Sequence, residues 1–322
     1  MDKRDFLKSF HTAAGLLPER LWRAAFSLER EQQIECEELR LRLGRPMLAL
    51  LGDGSEVLRD NGAAPTVTRE DLETVLANAT KSSLHTYGQQ LKRGFVTADG
   101  GHRIGVCGEY TGETVRAFSS LNIRIAKQMT GIGDGVVKRL YPEGFESTLI
   151  AAPPGVGKTT LLRDMARTLS MTMNVSVADE RYEIAACGTG GAAFDIGMCD
   201  VLSGGSKSEA VEMLIRSMRP DVIVLDEITA EEDAEAVIRA AYSGCSFLTA
   251  LHGSAEELDR RMIYRRLMQE GIFTRIVTIE NIGGKRQYRT YASGGERNAE
   301  NDRIDNDSRL VLGNRYFHEQ SD

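Results

Sequence analysis

No run of about eighteen apolar residues occurs in this 322-residue chain, so the sequence predicts no membrane-spanning helix. Its five cysteines (Cys36, Cys107, Cys187, Cys199, Cys245) are scattered, odd in number and never spaced C-x-x-C. That excludes the usual disulfide frameworks and zinc patterns and predicts free thiols in a reducing compartment. A positive balance is missing as well. Forty basic residues against 47 acidic ones leave a net charge of −7, which argues against the basic surface of a general nucleic-acid binder. The opening MDKRDFLKSFHTAAGLLPERLW mixes charges among its apolar residues and lacks the uninterrupted apolar centre of a secretory signal. These absences together predict a cytoplasmic globular protein.

What is present falls into three parts. Residues 1–130 read as a small α+β domain. Phe6, Phe10, Leu17, Leu21 and Phe26 recur near helical spacing, and Glu38–Leu43 alternates polar and apolar as a half-buried strand does. Thr68 and Asp71 form a helix-opening cap ahead of Leu72, Val75, Leu76 and Ala79. Asp99-Gly100-Gly101 marks a hairpin, and Leu121–Ile125 is a further strand. The glycine-rich Gly131–Gly135 closes this part. Residues 131–292 then alternate short apolar strands (near 147–151, 174–178, 222–226 and 246–251) with helical patterns (near 158–169, 207–218 and 231–242), which predicts an α/β domain on a parallel sheet. Residues 293–322, polar and rich in asparagine, predict a disordered tail.

The chemistry concentrates in the second part. The strand ending in Ala151 runs into Ala152-Pro153-Pro154-Gly155-Val156-Gly157-Lys158-Thr159-Thr160, which opens a helix. This is a phosphate-binding loop in its required strand–loop–helix setting. Backbone N–H groups and the helix N-terminus surround the phosphates, Lys158 adds a point charge, and the Thr159 hydroxyl is a ligand for Mg²⁺. Ala152 stands where the strict pattern has its first glycine, which is tolerable if its φ is negative. A second strand, Val222–Leu225, ends in Asp226-Glu227. Asp226 would hold Mg²⁺, and Glu227 would take the proton of the attacking water. The strand Val175–Ala178 ends in Asp179-Glu180-Arg181, and another ends in His252-Gly253. In a parallel sheet the strand C-termini share one edge, so Asp179 (metal), Glu180 (an alternative base) and His252 (a γ-phosphate sensor or a structural histidine) converge there. The reading is an ATP- and Mg²⁺-dependent hydrolase with a RecA-like domain.

The stretch Leu202-Ser203-Gly204-Gly205 matches the signature of ABC-type ATPases. The architecture refuses it, because Lys158 and Asp226 are too close in sequence to admit that family's helical subdomain. Ser206 and Glu209 instead form a capping box for the helix feeding the Asp226 strand, with Gly204 and Gly205 as its flexible entry and Lys207 as the residue to test there.

Several strings resemble the stage III sporulation protein AA family: EELRLRLGRP, ATKSSLHTYGQQLKRGF, GGHRIGVCGEY, Asp179-Glu180-Arg181, IRSMRPDVIVLDE and Leu251-His252-Gly253. The resemblance spans roughly residues 30 to 285. At residues 203–206 this chain has Ser-Gly-Gly-Ser and departs from the family's Asp-Gly-Cys-Pro. That family is similar to the hexameric traffic ATPases of secretion and pilus assembly. The resemblance implies a homo-oligomeric, hexameric motor serving the channel between mother cell and forespore, peripheral at the membrane through channel or secretion-complex proteins. It also implies arginines reaching across the subunit interface from the N-terminal domain, for which Arg103 and Arg124 are the candidates. Arg181 is a third, nearer the nucleotide of its own subunit. The rivals are a hexameric nucleic-acid translocase, which the acidic charge and the lack of a basic–aromatic pattern oppose, and a nucleotide-dependent assembly platform with little turnover, which Glu227 opposes.

Overall fold

The computed structural model of the chain describes residues 3–292 apart from 53, 113, 142–143, 189–190, 254 and 283–284, together with residues 304–305. The tail assigned to 293–322 lies outside the described residues except for Ile304–Asp305. Two compact units divide the chain: residues 2–128 with 186–194, and residues 129–185 with 195–322.

The N-terminal unit begins with helices α1 (Lys3–Ala14), α2 (Glu19–Ala25) and α3 (Arg30–Glu35). Strands β1 (Glu38–Arg42), β2 (Leu48–Leu51) and β3 (Gly54–Val57) follow, then α4 (Arg69–Thr80), α5 (Gly88–Lys92), β4 (Phe95–Thr97), β5 (Arg103–Tyr110) and β6 (Val115–Arg124). The six strands form one antiparallel sheet in the order β3-β2-β1-β6-β5-β4. Alternation fixes its two faces. Leu39, Leu41, Ile104, Leu121 and Ile123 are buried in the core, and each fully buried leucine contributes about 2 kcal/mol. The opposite face carries Arg40, Arg103 and Arg124. Thr68 and Asp71 make the reciprocal cap that the sequence announces for α4.

His102, just after the Asp99–Gly101 turn, is fully buried. Its Nδ1 accepts the Ala126 N–H at 3.1 Å, which places the proton on Nε2, an atom with no partner among the described residues. Burial pushes the His102 pKa down to about 4. The folded protein therefore excludes a proton that the unfolded chain binds below about 6.5. Stability is expected to fall as the pH drops from about 6.5 to about 4, by about 3 kcal/mol from this group alone. Denaturant midpoints across that range should flatten in a His102→Gln protein relative to wild type.

The C-terminal unit holds α6 (Ile132–Leu140), β7 (Thr148–Ala152), α7 (Lys158–Leu169), β8 (Val175–Asp179), β9 (Asp200–Ser203), α8 (Lys207–Met218), β10 (Val222–Leu225), α9 (Glu231–Tyr242), β11 (Ser246–His252), α10 (Met262–Gln269), β12 (Arg275–Ile282), β13 (Lys285–Ala292) and β14 (Ile304–Asp305). Its eight strands run in the order β14-β13-β12-β7-β11-β10-β8-β9. From β12 to β9 all neighbours are parallel, and β13 and β14 are added antiparallel. β7, β8 and β10 are buried at every position, as their unbroken apolar runs require of a sheet covered on both sides.

Three elements differ from the sequence reading. Gly131–Gly135, read as the glycine-rich end of the first part, lies across the start of α6. Gly133 there packs so close to α7 that a Cβ would meet the Met165 nitrogen at 2.6 Å, and Asp134 binds Arg167 at 2.5 Å. The edge strand β9, just before the Gly204-Gly205 entry to α8, carries no expectation from sequence. The hairpin of β12 and β13 carries no expectation from sequence.

Candidate active site

β7 ends at Ala152, and the chain turns through Pro153–Gly157 into α7. Ala152 still belongs to the strand, is buried opposite His252, and is absent from the positive-φ residues, so no glycine is needed there. Gly155 (φ +79°) and Gly157 (φ +102°) take the left-handed conformations that favour glycine. Gly157 caps α7 without a side-chain hydrogen bond. The N–H groups of Lys158, Thr159 and Thr160 are thus unclaimed by any capping side chain, as at an anion-binding helix start. Lys158 is buried, and its Nζ donates to the Pro153 carbonyl at 2.8 Å. Burial pushes its pKa down, while the charges of Glu227 and Asp226 pull it back up, so both acids act on this ammonium.

Those acids follow β10 directly. The Asp226 carbonyl accepts the Ala250 N–H at 2.8 Å and the Thr249 hydroxyl at 3.2 Å, fixing the strand end against β11. The Asp226 side chain is buried, and burial raises its pKa. Glu183 and Asp179 push the same way, against Lys207 and Arg181. Thr159 and Asp226 offer a hydroxyl and a carboxylate, oxygen groups of the kind a hard divalent cation takes. Glu227 is half-buried, with Oε1 accepting from Arg261 Nη1 at 3.2 Å. Its Oε2 lies 4.0 Å from His252 Nε2, beyond direct hydrogen-bond range. Arg261 also donates to the His252 carbonyl, so one guanidinium ties the ends of β10 and β11 together. Tyr264 reinforces this corner by accepting the Ile228 N–H at 3.0 Å.

The third acidic segment, Asp179–Ala185, is a turn closed on the Asp179 carboxylate. Asp179 is fully buried. Its Oδ1 accepts the N–H groups of Glu183 (2.8 Å) and Ile184 (3.2 Å), and its Oδ2 accepts that of Ala185 (2.9 Å). Arg163, from the middle of α7, reaches the carbonyls of Ile184 (2.5 Å) and Glu183 (2.7 Å) from the other side. Glu180, considered as the alternative base, accepts from the buried Lys207 at 2.8 Å. Glu183, which the sequence reading did not single out, is the charge that acts most on Asp226.

Gly204 explains the signature-like tetrapeptide. At φ +89° it donates its N–H to the Asp179 carbonyl at 3.2 Å, and the Tyr182 hydroxyl fills the space a Cβ would take. Ser206 then caps α8 by accepting the Glu209 N–H at 3.3 Å, and its hydroxyl donates to the Glu209 carboxylate at 2.8 Å.

Arg103 and Arg124 belong to the N-terminal unit, where they are direct cross-strand partners on β5 and β6. The Arg103 guanidinium lies 3.8 Å from the centre of the Phe95 ring. Arg124 is exposed and sits 3.6 Å from the Glu38 carboxylate. Burial works to raise the Glu38 carboxyl, but hydrogen bonds from Arg40 and Asn122 and the charges of Arg40 and Arg124 hold it below the usual carboxylate value.

Sequence positions 15–297 match the family described as sporulation stage III, protein AA. The chain is 36% identical over 284 residues to the stage III sporulation protein AA of Bacillus subtilis (strain 168), covering 84% of this chain and 91% of that protein. Among solved structures it is similar to the pilus retraction motor PilT with bound ADP, with a TM-score of 0.58 at 18% identity over 81% of this chain and 80% of that one. It is also similar to the ATPase DotB of Legionella pneumophila, with a TM-score of 0.52 at 14% identity over 80% and 77%. At those identities the structural likeness establishes the fold alone, a RecA-like α/β domain preceded by an N-terminal sheet domain.

Proposed function

The chain belongs to the stage III sporulation protein AA family, and on that premise we propose that it is a Mg²⁺-dependent ATPase working as a ring-forming motor on the channel between mother cell and forespore. The observation that carries the enzymatic part is the buried Lys158 in a glycine-turned loop, under the combined charge of Asp226 and Glu227 from the neighbouring sheet edge. Lys158 and the N–H groups opening α7 bind the β- and γ-phosphates. Thr159 and Asp226 hold Mg²⁺, which when bound neutralises phosphate charge. Glu227, oriented by Arg261, accepts the proton of the attacking water. Asp179 serves this site by shaping the turn that presents Glu183, instead of ligating metal. Glu180, neutralised by Lys207, is a positioning group instead of the base. His252, held by Arg261 through its carbonyl, responds to the γ-phosphate in this reading.

Arg103 and Arg124 are proposed to act in trans within the ring, where a guanidinium offsets charge developing on the transferred phosphoryl group. The test is phosphate release from MgATP by the purified chain at increasing protein concentration, with and without single-stranded DNA. The motor reading expects turnover per chain that rises with concentration and ignores DNA. Stimulation by DNA would favour a translocase, and nucleotide binding without turnover an assembly platform.

A further inference from the structure

The hairpin of β12 and β13 extends the sheet beside β7, and its far end runs past the strand it covers. Thr278 pairs with Ala151, the last β12–β7 pair, whereas Asn281 and Arg286 pair further along toward the hairpin tip. Arg286 is thereby carried beyond the end of β7 and over the phosphate loop. A Cβ built on Gly157 would lie 2.8 Å from Arg286 Nη1, 3.0 Å from Cζ and 3.2 Å from Nη2. Three guanidinium atoms at nearly one distance mean that the planar group lies against the glycine, which has no side chain to hold it off. Gly157 is thus glycine for two reasons, its φ and this contact.

Neighbouring arginines of the hairpin have acidic partners: Arg275 is 3.0 Å from Glu146, and Arg289 is 3.0 Å from Glu280. Arg286, half-buried, has neither an ion pair nor a hydrogen bond among the described residues. A partly desolvated guanidinium without a counter-charge among the described residues, pressed on the glycine-turned loop before α7, needs an anion to complete it.

We infer that Arg286 is a phosphate-binding residue, a second in-chain cation beside Lys158 that grips the di- or triphosphate of the nucleotide held by its own subunit. This rests on the ATPase reading above. It gives the C-terminal hairpin a direct part in nucleotide recognition, distinct from any arginine supplied by a neighbour.

The test uses the full chain and competition against a fluorescent ATP analogue, with ADP and inorganic pyrophosphate as competitors. Wild type is compared with Arg286→Gln, Arg286→Lys and Lys158→Ala, and melting without nucleotide is recorded for each. Arg286→Gln is expected to bind ADP and pyrophosphate more weakly by one common factor of about ten- to a hundredfold, the loss of one charge-assisted contact, with its nucleotide-free melting unchanged. Arg286→Lys should recover most of the loss but remain a few-fold weaker, because an ammonium cannot reproduce the planar fork. Equal binding by wild type and both Arg286 variants, with binding lost in Lys158→Ala, would overturn the inference and leave the ATPase reading standing. Weaker ADP binding with unchanged pyrophosphate binding would overturn it too, by moving Arg286 to the base or ribose. Retained binding in Lys158→Ala as well would remove the nucleotide site itself.

Discussion

A Lys158→Ala protein is expected to lose nucleotide binding by more than about a hundredfold while keeping its fold. Lys158 is the buried cation in the loop, its Nζ is held at the Pro153 carbonyl, and both Asp226 and Glu227 act on it. Without it, the phosphates would enter a site whose buried charges are carboxylates, and the backbone N–H groups alone must offset them. Alanine is the best helix former and sits at the first position of α7, so the helix itself is not threatened. The readout is the rise in melting temperature with ADP. A ligand at about a hundred times its dissociation constant stabilises the native state by about 2.7 kcal/mol. Wild type should show that rise, and the variant should melt at the same temperature with or without ADP.

The second large effect is structural and reaches the site from behind. An Arg163→Met protein is expected to lose about 3–5 kcal/mol of stability in urea unfolding. Arg163 is buried within α7. Its guanidinium satisfies the carbonyls of Glu183 and Ile184 and offsets the charge of Asp179, which is itself buried under the N–H groups of residues 183–185. Methionine fills similar space but gives up both hydrogen bonds to those carbonyls and the positive charge beside Asp179. The turn that presents Glu183 toward Asp226 loosens with it, so turnover should fall in the protein that still folds at low temperature. A variant as stable as wild type would mean that Asp179 does not depend on the Arg163 charge.

How much of this was legible in the sequence follows from how local each signal is. β7, β8, β10 and β11, with α7, α8 and α9, stand out because unbroken apolar runs alternate with periodic helices. The phosphate loop and Asp226-Glu227 are legible for the same reason, since each motif lies at the end of such a strand. α6 was hidden because Gly133 and Gly135 are poor helix formers. What justifies Gly133 is its close approach to α7, a tertiary fact. β9 has four residues at a sheet edge, too short for an alternating pattern to announce itself. β12 and β13 do carry a local signal, with apolar Val277 and Ile279 before Gly283-Gly284 and Tyr288 after them in sequence, all three buried. The polar composition that follows obscured it.

Most of the supporting cast of the site was not legible. Lys207 stood out only by its place at the start of α8, and its partner Glu180 is set by the fold. Arg163, Arg261 and Arg286 acquire their roles from partners brought near by the fold, and nothing in their own neighbourhoods separates them from the other basic residues. Glu183 is a partial exception, since it sits in the same acidic turn as Asp179 and Glu180. Only the turn, closed by the Asp179 carboxylate, decides that Glu183 and not Glu180 bears most on Asp226.

The central claim, that this sheet edge splits ATP with Glu227 as the base, is tested most directly by measuring ATP binding and phosphate release on the same preparations of wild type and Glu227→Gln. Glutamine keeps the shape and a hydrogen bond to Arg261 but cannot take a proton, and general-base catalysis contributes about 10²–10⁴-fold. The account predicts that both proteins bind ATP within a few-fold of each other, while phosphate release in the variant falls by about a hundredfold or more. Equal rates of phosphate release in the two proteins would contradict it.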